Sequence, residues 1–140
     1  MASLMNCSIV SAEQEIFSGK VTMVVAAGSE GDLGILPGHA PLLTGIKAGP
    51  VRLKLEDQTE EIFFASGGYL EVQPSGVIVL ADTAIRADDI DEAEAKETQE
   101  RARKLMDEQA NEIDFARAES MVADSLGQQR TLEELRKRRR

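Results

Sequence analysis

Two hydrophobic rhythms divide the chain. Over its first part, apolar side chains come in short runs closed off by glycine, proline or polar clusters. Cys7-Ser-Ile-Val10 is one such run. Glu15-Ile-Phe-Ser-Gly-Lys-Val-Thr-Met-Val-Val25 holds two stretches parted at Ser18-Gly19, which marks a bulge or turn. Val51-Arg-Leu-Lys-Leu55 alternates apolar with basic residues, as a half-buried strand does, and Glu61-Ile-Phe-Phe-Ala65 returns after the polar loop Glu56-Asp-Gln-Thr59. Gly67-Gly68 predicts a turn, followed by a hairpin of Tyr69–Val72 and Val77–Leu80 around Gln73-Pro-Ser-Gly76. Strands this short, recurring about every ten residues, predict a β-sandwich or barrel. The number expected is about eight to ten.

Beyond the region of Asp82–Asp88 the rhythm becomes helical. Asp89 is placed to cap a helix beginning at Ile90, with Glu92 completing a capping box. Glu92–Lys96, Glu97–Arg101 and Glu100–Lys104 fall in the favourable i,i+4 order. Ile90, Ala93, Leu105, Met106 and Ile113 form a thin apolar stripe. A break is expected within Glu108–Asp114. A second helix is expected from Phe115 to about Lys137, with Ala118, Met121, Val122, Leu126, Leu132 and Leu135 on its inner face. Contact between the helices is Ala-rich and therefore modest in buried area. Composition alone leaves two states open, a permanently docked hairpin and one that a partner can move.

Composition sharpens the division. Of the 11 glycines and 4 prolines in 140 residues, only Gly127 lies beyond residue 85. The expected fold class is therefore β + α: a β-rich domain over residues 1–86 followed by a helical hairpin domain over residues 87–140. The 25 acidic residues against 16 basic ones make a net charge of −9, which opposes a general nucleic-acid binder. The one cysteine, Cys7, permits no internal disulfide, and Met1–Cys7 has neither the basic nor the apolar stretch of a secretory leader. A reducing, cytoplasmic setting is the expectation, and no apolar run is long enough to insert into lipid.

Candidate chemistry is sparse. His39 is the only histidine, with no partner at triad or metal-ligand spacing. Gly28-Ser-Glu-Gly-Asp-Leu-Gly34 lacks the Gly-Lys-Ser/Thr ending of a phosphate loop and reads as a tight exposed acidic loop. The basic cluster Arg136-Lys-Arg-Arg-Arg140 suits the negative end of a helix and could also grip an acidic surface. No aromatic residue interleaves it, so it offers no stacking platform for single-stranded nucleic acid. No residue set supports catalysis, a metal or a cofactor. These residues describe a binding or regulatory module. A stand-alone adaptor that binds acidic partners or nucleic acid through the tail is the alternative.

The strings Val10-Ser-Ala-Glu13, Phe17-Ser-Gly19, Gly28-Ser-Glu-Gly-Asp-Leu-Gly-Ile-Leu-Pro-Gly-His-Ala-Pro-Leu-Leu-Thr44, Ser66-Gly-Gly68, Leu70-Glu-Val-Gln-Pro74 and Val79-Leu-Ala-Asp-Thr-Ala-Ile-Arg86 carry a resemblance. Together they resemble the epsilon subunits of bacterial F-type ATP synthases. The resemblance implies a ten-stranded β-sandwich followed by an antiparallel two-helix hairpin. It also implies a non-catalytic place in the central stalk at the cytoplasmic face of the inner membrane, coupling the proton-driven c-subunit ring to ATP synthesis through the gamma subunit. By motif position, Glu30, Gly31, Asp32 and His39 would meet the ring, and Ser11 would lie near gamma. The hairpin would regulate hydrolysis by extending towards the alpha and beta subunits. There Arg130, Arg136, Lys137, Arg138, Arg139 and Arg140 would pair with acidic segments. Some members bind ATP in the folded hairpin through Ile/Leu-Asp-x-x-Arg-Ala. This chain retains Ile90, Asp91 and Ala95 but places Glu94 where the arginine stands, so no nucleotide is expected.

Overall fold

The computed structural model describes residues 3–107 and 112–139. Seven strands come first: β1 (Met5–Ser11), β2 (Glu15–Gly28), β3 (Gly31–Ile35), β4 (Leu42–Leu55), β5 (Glu60–Gln73), β6 (Gly76–Ala81) and β7 (Ala84–Arg86). A 3-10 turn at Ala87–Asp89 leads into α1 (Glu92–Asp107), and α2 (Glu112–Arg139) follows.

The strands run in the order β1-β6-β5-β4-β2-β3, with β7 on β5, and a further β1–β2 pairing closes the ring. All pairings are antiparallel except β1–β6. The seven strands differ from the expected ten because β2, β4 and β5, at 14 residues each, are twice the ordinary length. Each bends and serves both layers. The first half of β2 pairs with β1 and its second half with β4 and β3, across register shifts at Val21/Met23 and Ala26/Gly28. The first half of β5 pairs with β7, and its second half with β6. Counted by halves, the three long strands bring the total back to ten segments.

Gly67-Gly68, expected as a turn, is the bend inside β5. The two residues sit at φ 123° and 141° and stay paired with Lys47 and Ile46. The expected acidic loop at Gly28–Gly34 is a hairpin whose return arm is β3. Val21, Val24, Val51, Leu53, Phe63, Leu70, Val77 and Val79 fill the core between the layers, each at most 2% exposed. Phe17 meets Phe63 edge-on at 5.8 Å, and the Arg86 guanidinium lies 5.1 Å from the centre of the Phe63 ring. Burial alone pushes the Cys7 thiol up to about 12.

The helices cover one outer face. Ile62, Phe63, Phe64 and Ala65 are all buried, so this stretch of β5 has no solvent side. Phe63 and Ala65 face the core, and Phe64 meets α2. The approach is close: a Cβ on Gly127 would stand 2.8 Å from the Ala48 carbonyl carbon and 2.9 Å from Phe64 Cε1. Small residues line the rest of the hairpin's inside, with Ala95, Ala102, Ala118, Ser125 and Thr131 buried. Leu126 and Leu105, expected inward, are 41% and 40% exposed, and Ala93 is exposed too. A helix seated this near a sheet has no room for leucine, and two small hydroxyl residues replace it. The Thr131 hydroxyl donates to the Gly127 carbonyl at 2.8 Å and the Ser125 hydroxyl to that of Val122 at 3.0 Å, so neither is buried unpaired.

Helix α1 starts two residues later than expected. Asp91, not Asp89, is the cap, with its Oδ1 accepting from the Glu94 backbone N–H at 3.0 Å. Of the three expected i,i+4 pairs, Glu92–Lys96 closes at 3.4 Å. Residues 108–111 of the expected break at Glu108–Asp114, and the side chain of Ile113, lie outside what is described.

Candidate docking surfaces

Four places carry the candidate residues. The first is the acidic hairpin tip. Ser29 and Glu30 make the turn from β2 to β3, and Glu30, Gly31 and Asp32 are exposed. Gly31, at φ 133°, supplies the left-handed residue that the tight reversal requires. A groove of about 300 Å³ runs beside this tip, flanked by Leu42 and Thr44 of the returning β4. His39 is not joined to it by any hydrogen bond or ion pair among the described residues. It closes a separate turn in which its N–H donates to the Leu36 carbonyl at 3.1 Å, with Pro37 and Gly38 (φ 88°) at the corners. Its Nδ1 donates to the Ala40 carbonyl at 2.7 Å. That turn leaves from the other end of β3, about 13 Å along the strand from Gly31. Leu36 at its start is 57% exposed.

The second is the outer face formed by β1, β6 and the far halves of β5 and β4. Register places Leu43, Glu71, Ile78 and Ser8 in one row across it, and Gly45, Tyr69, Leu80 and Val10 in the next. Leu43 and Tyr69 are 68% and 59% exposed, with Leu80 and Ile78 beside them also open. An exposed group of large apolar side chains of this kind, interrupted only by Glu71, suits a site for another protein. Sequence reading passed it by, although Val77-Ile-Val-Leu80 carries the signal. An antiparallel strand that is apolar in both phases has an apolar outer face as well as an inner one. Ser11 stands at the border of this face, beside Val10. Its hydroxyl is engaged within the chain, accepting from the Glu13 and Gln14 N–H groups at 3.3 Å each.

The third is a cleft of about 310 Å³ between the first turn of α1, β7 and α2, where the nucleotide-motif remnant falls. Each remnant residue has a helix-start task there: Asp91 caps, Ala95 is buried against the hairpin, and Ile90 is half-buried. Asp89, Asp91, Glu94 and Asp124 line the cleft, and among the described residues no lysine, arginine or histidine does. Burial, and then the neighbouring Asp82, raises the Asp124 carboxyl above the usual carboxylate range. A triphosphate would meet four carboxylates and no counter-charge, so these residues do not fit ATP.

The fourth is the end of α2. Arg136 reaches Glu92 on α1, and this guanidinium, first through its hydrogen bond, holds the Glu92 carboxyl below its ordinary range. Arg138 Nε meets Glu60 Oε2 on β5 at 2.8 Å. Lys137 and Arg138 each lie 3.7 Å from Glu134, and Arg52 of β4 lies 3.8 Å from it. Arg130 is exposed beside Gly49. The side chain of Arg139 and all of Arg140 lie outside what is described. The tail therefore grips acidic groups, but of its own chain.

No group of three or more His, Cys, Asp or Glu among the described residues could hold a metal ion. No helix among them is long and apolar enough to cross a membrane.

Comparison with known proteins fits this arrangement. Residues 4–87 match the family model for the β-sandwich domain of the ATP synthase delta/epsilon chain, and residues 88–128 match that for its long α-helix domain. The curated ATP synthase epsilon chain of Teredinibacter turnerae is 53% identical over 141 residues, covering 100% of both chains. That of Chromohalobacter salexigens is 51% identical over 138 residues, covering 99% of this chain and 97% of the relative. The fold is shared with a chain in the Euglena gracilis mitochondrial ATP synthase OSCP/F1/c-ring structure (TM-score 0.81, 18% identity, 90% of this chain and 79% of that one). It is shared also with a chain in the central stalk/c-ring structure of the Tetrahymena thermophila mitochondrial enzyme (TM-score 0.61, 12% identity, 91% and 96%). Two domain models in succession and full-length relatives at half identity lead to one conclusion: the chain belongs to the ATP synthase delta/epsilon chain family.

Proposed function

We propose that the chain is a non-catalytic rotor subunit, held in the central stalk between the gamma subunit and the c-subunit ring at the cytoplasmic face of the membrane. Residues 1–86 dock and residues 87–140 regulate hydrolysis. The observation that carries this reading is the open apolar face of Leu43, Tyr69, Ile78 and Leu80 on a chain of this family. That face suits gamma, with Ser11 at its border. The acidic tip of Glu30, Gly31 and Asp32 suits polar or basic loops of the ring, where rim charges set orientation more than affinity. His39 and Leu36, on a second turn, would widen that contact. The shared fold with chains of the Euglena OSCP/F1/c-ring and Tetrahymena central stalk/c-ring assemblies supports the same placement.

Co-purification tests it. The tagged chain is expected to bring down gamma and the ring, and Tyr69→Glu/Leu80→Glu to weaken that association at least about tenfold while the sandwich stays folded. Unchanged recovery would remove the proposed gamma face. For the hairpin, deletion of residues 128–140 is expected to raise ATP hydrolysis by the membrane-bound enzyme several-fold under inhibiting conditions. In the extended state Arg130 and the freed tail would meet acidic groups of the alpha and beta subunits. Equal hydrolysis with and without the tail would refute that regulatory part alone. The adaptor reading is disfavoured by the tail's own pairing, since Arg136 and Arg138 are already neutralised within the chain.

A further inference from the structure

We propose that the last turns of α2 form an electrostatic latch, in which Arg138 on Glu60 holds α2 on the sandwich and Arg136 on Glu92 holds it on α1, without any ligand. Three observations point to it. The two pairs tie α2 to different elements, Glu60 on β5 and Glu92 at the start of α1, so opening the helix breaks both together. Glu60 Oε2 is sealed from solvent and accepts no hydrogen bond among the described residues, and Arg138 Nε lies 2.8 Å from it. The Glu60 side chain is 25% exposed and that of Arg138 39%, so the pair is partly screened, and what sets it apart from a surface bridge is this one sealed oxygen. Finally, the α2 side of the contact beneath the latch is made of small residues, with Phe64 of β5 the large apolar group that Gly127 covers, so the ion pairs add to a limited apolar area. Glu134 completes the device: Arg52 of β4, Lys137 and Arg138 surround it, which brings an α2 carboxylate to the sandwich as a second point of contact.

The acidic cleft next to the latch excludes the anionic ligand that could otherwise fasten the hairpin. Closure is then set by the chain's own ion pairs, and salt takes the place of a ligand as the variable. The latch is a property of the chain by itself. Its effect on hydrolysis rests on the regulatory role proposed above, and the test needs no partner, so the two can fail separately.

The test uses the full chain with Ser125→Cys as reporter. Ser125 is 2% exposed on α2, beside the cleft that α2 forms with the first turns of α1 and with Ile85 of β7, so a neutral thiol reagent labels it only when α2 opens. Native Cys7, 1% exposed, supplies a slow background measured in the parent. Glu60→Gln/Glu92→Gln is expected to speed labelling about three- to tenfold. Arg138→Gln should exceed Glu60→Gln, and the combined Glu60→Gln/Arg138→Gln variant should fall short of the product of the two. About 1 M sodium chloride, with a screening length near 3 Å, should speed the reporter chain and barely move the double glutamine variant. Far-ultraviolet dichroism and the melting transition show that each variant is folded. Labelling unchanged in Glu60→Gln/Glu92→Gln, or strictly multiplicative effects of Glu60→Gln and Arg138→Gln, would overturn the latch.

Discussion

Gly68→Ala is expected to lower the stability of the sandwich by about 3 kcal/mol or more. The residue sits at φ 141°, where side-chain-bearing residues are strained, and an added Cβ would stand 2.0 Å from the Leu80 carbonyl oxygen. No rotamer relieves a clash between Cβ and backbone. Relief requires β5 to part from β6 where Gly68 pairs with Ala81, at the bend that lets β5 serve both layers. The melting temperature should fall by roughly 10 °C. Gly34→Ala is the control: its Cβ would meet nothing within 4 Å, and its φ is not in the left-handed region. If Gly68→Ala melted within about 2 °C of the Gly34→Ala chain, the tight passage at this bend would be wrong.

Gly127→Leu should act on a different equilibrium. In an isolated helix the change is favourable by up to about 1 kcal/mol, because leucine is the better helix former. In the docked hairpin its Cβ alone would overlap the Ala48 carbonyl and the Phe64 ring. Overpacking of this kind costs about 3 kcal/mol against unyielding backbone, roughly a hundredfold in the docking equilibrium. The expected phenotype is a sandwich that melts as before, helix content retained, and Ser125→Cys labelled about a hundredfold faster. In an assembled enzyme the proposed regulatory role makes this a constitutively released hairpin, with hydrolysis lowered. Parent-like labelling would mean that α2 does not rest on Ala48 and Phe64.

Much of this architecture is legible in the sequence, and the misses share a cause. Strand positions such as Val51–Leu55 and Val77–Leu80 follow from alternation and turn chemistry, and the helical hairpin from the loss of glycine and proline after residue 85. What escaped are features set by a neighbour that local pattern does not name. Gly67-Gly68 reads as a turn because glycine pairs usually make one, whereas here they bend a continuous strand. Leu126 reads as inward because it is apolar. Ser125 and Thr131 are inward instead, because the nearby sheet admits only small side chains. Asp89 and Asp91 are equally good caps on paper, and the 3-10 turn at Ala87–Asp89 decides for the second. Among the site residues, the acidic tip is visible from its glycine spacing. The apolar outer face requires knowing which strands adjoin, and the basic tail's partners, Glu60 and Glu92, lie 78 and 44 positions away from their arginines.

The three long strands have a mechanical meaning as well. A sandwich of separate sheets can slip along its greasy middle, since only side-chain contacts resist. Here β2, β4 and β5 cross from one layer to the other as unbroken backbone. Shearing the layers would mean tearing ladder hydrogen bonds on both sides at once. A twist applied at the acidic tip of β2 and β3 would pass into Tyr69 and Leu80 through covalent bonds and paired amides, making the block stiff in torsion.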